Sequence, residues 1–64
     1  MIPEREIVAF VSLVKRERCH NLTAAARGWL RSARHDNPRV SDDDAAVRRL
    51  VAEAERRIKE EQRG

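Results

Sequence analysis

The sequence predicts an all-α fold, a small helical hairpin or three-helix unit over residues 1–64, paired into a homodimeric helical bundle. Three observations predict it. Apolar residues recur at helical spacing in three segments. Two clusters of turn-forming residues separate those segments, and no stretch alternates with the period of two that a half-buried strand needs. Residues 7–14, IVAFVSLV, hold seven apolar residues and one serine. As a helix they spread apolar surface over roughly 220° of the wheel, where one packing neighbour needs little more than ~100°. A chain of this size buries only about 60% of its unfolded surface. A second copy is therefore the expected cover for the surplus face of the first helix, with Ile7, Phe10, Val11 and Val14 at the dimer interface.

The first helix is expected over residues 3–18. Proline suits the first helical position, because the N–H it lacks has no partner there anyway. Glu4 and Glu6 sit at the positive end of the helix dipole, and Lys15, Arg16 and Arg18 at the negative end. Cys19-His20-Asn21 reads as the break. The second helix is expected over residues 23–34, with Thr23 as N-cap. Leu22, Ala25, Ala26, Trp29, Leu30 and Ala33 fall on one stripe about 140° wide, and the small neighbours of Trp29 assign it to the core. Gly28 lies off the stripe and costs up to ~1 kcal/mol relative to alanine. It marks either the close approach of another backbone or a loosened helix.

Residues 35–40, HDNPRV, form the clearest loop, since Asn-Pro is a turn signal and the residue before proline avoids helical geometry. The third helix is expected over residues 42–62. Ser41 caps it, Asp44 completes a capping box, and three carboxylates complement the dipole. Val47, Leu50, Val51, Ala54 and Ile58 make a stripe about 100° wide, near a coiled-coil seam. Glu53–Arg57 and Glu55–Lys59 are acid-before-base pairs, each worth ~0.2–0.5 kcal/mol. Gly64 is expected to fray.

Composition narrows the function. Cys19 is the only cysteine, so no disulfide forms within one chain, although a bridge between two chains remains open. The N-terminus lacks the basic stretch of a signal peptide, and the apolar run is too short to span a membrane. The expected compartment is the cytoplasm, bacterial or that of a host for a phage protein, because arginine and alanine, both common here, have G+C-rich codons. Catalysis is not expected. The serines sit in no nucleophile elbow, and Cys19 and His20 point about 100° apart on a helix. The two glycines form no phosphate loop, and the chain is too small to wall off a pocket. No cofactor and no small-molecule substrate are expected. Cys19, His20, His35 and Asp36 are ligand types that zinc accepts, but their spacing matches no common finger. They read as polar residues at helix ends, and no metal is expected.

Charge points to a macromolecular partner. The chain carries 14 Lys+Arg against 11 Asp+Glu, a formal net charge of +3, and residues 21–40 hold four bases and one acid. Arg27, Arg31 and Arg34 share about 60° of the wheel, opposite the Trp29 stripe, and Arg39 extends them into the loop. No acid occurs from Asn21 to His35. Such guanidinium rows fit phosphates or a carboxylate-rich protein surface. Residues 21–27, NLTAAAR, resemble the first helix of a helix-turn-helix motif. The following loop is too long for that motif, and the next helix would present Asp42, Asp43 and Asp44 to DNA. The expectation is a small regulator of phage or accessory type that docks on a host protein, such as a transcriptional regulator, and blocks it. The alternative is a small basic DNA-binding regulator that uses the arginines of the second helix.

Overall fold

The computed structural model describes residues 2–63. They form α1 (Glu4–Glu17), α2 (Leu22–Asp36) and α3 (Asp44–Arg63), with no strand among the described residues. The expected fraying of Gly64 lies outside those residues.

Each helix is bounded by local chemistry. Pro3 is extended and stands just before α1, and its carbonyl accepts from the N–H groups of Glu6 and Ile7. The helix ends where Arg18 turns left-handed at φ 51°. Asn21 caps α2 rather than Thr23, because its Oδ1 accepts from the Ala24 N–H at 3.0 Å, the third helical residue. At the other end α2 runs on through Asp36, two residues past expectation. The Asn37 N–H still donates to the Ala33 carbonyl at 2.8 Å, and only Pro38 stops the helix. Asp43 caps α3 in place of Ser41, accepting from the Ala46 N–H at 2.8 Å. Residues 40–43 precede the helix, two of them beyond the expected start, and Val40 among them is buried in the core.

Ion pairs fix the directions. Glu4 meets Arg57 and Lys15 meets Glu61, so α1 and α3 run the same way. Arg34 meets Asp42 and Arg27 meets Asp44, so α2 runs against α3. The result is an up-down-up unit measuring 36 × 20 × 19 Å. Its long axis follows the 20 residues of α3, a helix of about 30 Å. Both shorter helices lean on α3 more than on each other.

The core corrects the sequence expectation about the first helix. Ile7, Phe10, Val11 and Val14 are all buried inside one chain, and Phe10 is fully covered. They meet Ala26 and Leu30 of α2 and Ala46, Val47, Leu50 and Ala54 of α3 in a single cluster. The wide apolar arc of α1 has two neighbours, one on each flank, and both come from the same chain. A second copy is not needed to cover those four residues. Val8, at 49% exposure, is the one large hydrophobic left outside among the described residues. Two core members lie outside the helices: Ile2, 6% exposed, and Val40, 2% exposed. Trp29 packs on the cluster with its ring tilted 60° to Phe10 at a centroid distance of 5.9 Å. This is the edge-to-face range that aromatic pairs favour.

Candidate interaction surface

With its Trp29 stripe turned inward, α2 presents Thr23, Ala24, Arg27, Gly28, Arg31 and Arg34 to solvent. The expected arginine row is therefore real as a helical face. Arg39 is exposed in the loop that follows. The expectation that no acid neutralises this row holds only along the sequence. Folding brings the start of α3 alongside. Asp42 accepts from Arg34 at 2.7 Å, and Asp44 lies 3.4 Å from Arg27. The first distance is that of a good charge-assisted bond; the second is a loose one. Both pairs are largely exposed, so each contributes little to stability. Arg31 and Arg39 make no ion pair among the described residues.

A shallow groove of about 460 Å³ runs along this face at the N-terminal half of α2. It is lined by Asn21, Thr23, Ala24, Arg27, Gly28 and Arg31, all of them from α2 or its N-cap. Gly28 is the low point: a Cβ built on it meets nothing within 4 Å. Its backbone is ordinary helix, without positive φ. Nothing within the fold therefore requires glycine at this position.

The strongest charge interactions lie elsewhere, on the seam between α1 and α3. Arg57 grips Glu4 with two guanidinium nitrogens, at 2.5 and 2.9 Å, and also donates to Glu53 at 3.2 Å. Arg56 adds a 2.7 Å bond to Glu53 and a longer one to Glu60. The guanidinium of Arg57 holds the Glu4 carboxyl below its ordinary value of 4.5. Bonds from Arg56 and Arg57 do the same to Glu53. Of the two pairs expected on α3, Glu53–Arg57 forms, and Glu55–Lys59 is not among the ion pairs of the described residues. A second groove, about 440 Å³, opens beside this seam between Val8, Ser12 and Lys15 of α1 and Arg57, Glu60 and Glu61 of α3.

The polar pairs flanking α2 are held apart by the helix itself. Cys19 and His20 precede it, and His35 and Asp36 close it, which separates them by about 20 Å. No group of three or more metal-ligating side chains gathers among the described residues. No helix among them is long and apolar enough to cross a membrane. The chain matches no protein-family model, and comparison with curated proteins and with solved structures gives no match.

Proposed function

We propose that this chain is a non-enzymatic interaction protein that binds a protein partner through the arginine face of α2 and acts by covering a surface of that partner. The observation that supports this most is the pairing of Arg27 and Arg34 with Asp44 and Asp42. A face that binds nucleic acid gains its affinity by releasing counterions from phosphates, one for each basic group it brings. Here two of the four arginines already hold carboxylates, and those carboxylates would lie against the phosphates. A mixed-charge face with surplus arginine suits the rim of a protein interface, where arginine is enriched and charge complementarity sets specificity. The finer reading is an accessory or phage-type regulator that blocks a host regulatory protein. It rests on the high arginine content of the chain.

The alternative, a DNA-binding regulator, gains support from one structural detail. Only residues 18–21 separate α1 from α2, and α2 carries no acid in its first turn. That pair of helices offers a shorter turn and a cleaner reading helix than α2 and α3 do.

The two readings part in one experiment. Tagged wild type and Arg31→Glu are used to capture partners from a lysate of the source cell, and both are titrated with random duplex DNA at low salt. The expected result is one stoichiometric protein held by wild type, lost with Arg31→Glu and retained at moderate salt. Duplex binding that falls roughly 10³–10⁵-fold between 50 and 200 mM salt, with no protein captured, would transfer the function to DNA.

A further inference from the structure

We infer that the groove over Gly28 is the seat of an acidic α-helix belonging to the partner protein, with that helix lying against Ala24 and Gly28 and its carboxylates held by Arg27 and Arg31. This inference rests on the proposal above and names the kind of surface that the arginine face takes. The lining of the groove defines the chemistry: Ala24 and Gly28 carry almost no side-chain bulk, and the exposed Arg27 and Arg31 beside them are cationic. Arg31 has no ion pair of its own, and the 3.4 Å contact of Arg27 with Asp44 is loose enough to exchange for a better carboxylate. Asp44 is a neighbouring carboxylate already drawn to this wall.

Gly28 adds an energetic reason. In an exposed helix interior, glycine is less favourable than alanine by about 1 kcal/mol. A Cβ there meets no atom of the fold, so the chain recovers none of that cost internally. A backbone without a side chain lets a second helix approach closely, and closer approach brings carboxylates on its flanks within reach of both guanidinium groups. A symmetric contact with a second copy through this same face does not fit, because α2 against α2 would set like-charged arginine rows face to face.

The probe is a fluorescent, alanine-based helical peptide with glutamates at i,i+4 spacing, compared with its glutamine counterpart and with random duplex DNA. Each is titrated by anisotropy against wild type, Gly28→Ala, Gly28→Leu and Arg31→Glu, with folding checked by circular dichroism. The expected pattern separates stability from binding. Gly28→Ala melts higher than wild type yet binds the glutamate peptide more weakly. Gly28→Leu stays folded and loses about tenfold in affinity, the equivalent of 1.4 kcal/mol. Arg31→Glu abolishes binding, and the glutamine peptide binds at least about tenfold more weakly than the glutamate one. If Gly28→Leu binds as well as wild type while Arg31→Glu fails, the arginine face stands and the groove inference falls. If Arg31→Glu binds normally, the arginine face itself falls. No binding of the glutamate peptide, or tighter binding of duplex unaffected by Gly28→Leu, overturns the groove inference.

Discussion

Val8 and Val40 show how little a residue's type says about its work. Both are valines, one in the middle of the greasiest helix and the other in a loop after proline. The helical one is half in water, whereas the loop one is 2% exposed and seals the end of the bundle together with Ile2. Removing two methyl groups from a filled site costs their transfer energy and leaves a cavity. Val40→Ala is therefore expected to lose about 1–3 kcal/mol of stability. Val8→Ala should stay within about 0.5 kcal/mol of wild type. Urea denaturation of the two variants checks the contrast, and equal effects would contradict the packing. Trp29 carries the one poorly served polar group in the interior: its Nε1 is buried with no acceptor among the described residues. Its stabilising value comes from ring packing on Phe10 and not from its N–H.

The helices owe their boundaries to side chains that periodicity does not reveal. Apolar spacing at i, i+3 and i+4 makes the three helices legible, because that signal is repeated within each segment. A cap is a single residue and competes with its neighbours. Asn21 and Thr23 are both good caps by type, as are Ser41 and Asp43. Geometry alone selects Asn21 and Asp43. Asn21→Ala is expected to cost about 1 kcal/mol by leaving the Ala24 N–H without its partner. Thr23→Ala, in the first turn of α2 and exposed, should change stability by no more than about 0.5 kcal/mol. Thermal melts of the two variants distinguish the caps.

A charged clasp joins α1 to α3 beside the core. Arg57 reaches from α3 to Glu4 at the start of α1 and to Glu53 on its own helix. Both carboxyls titrate below their ordinary value of 4.5 in the folded chain. Their contribution is thus fully present above that value and is lost as pH falls through the depressed folded values. The sign follows from linkage: in that window the unfolded chain binds more protons than the folded one. Arg57→Gln is expected to flatten the loss of stability below pH 4.5 and to change its slope little near neutrality, where both carboxyls are ionised in either state. Melting temperatures from pH 3 to 7 provide the check. An acid slope identical to wild type would remove the clasp from the account.

The Arg57–Glu4 contact and the pairing of Asp42 and Asp44 with the arginine row join residues 8 to 53 positions apart. Neither leaves a mark in local spacing, so neither is legible in the sequence. The arginine row itself is legible, since its spacing is that of one helix. The breadth of apolar surface on α1 is legible too. What covers that surface depends on how many neighbours the fold supplies, and a wheel drawn for one helix holds no such information. Val40 and Ile2 are lone apolar residues outside any period and carry no signal until the bundle closes over them.

Because α1 and α2 lean on α3 more than on each other, the last 20 helical residues decide when the chain can fold. During synthesis the first two helices emerge with Phe10 and Leu30 bare on the side that α3 will fill. A nascent chain in that condition is sticky and presents a surface that chaperones recognise. A fragment that stops before α3 is expected to lack the core that Phe10 and Leu30 share with Val47, Leu50 and Ala54.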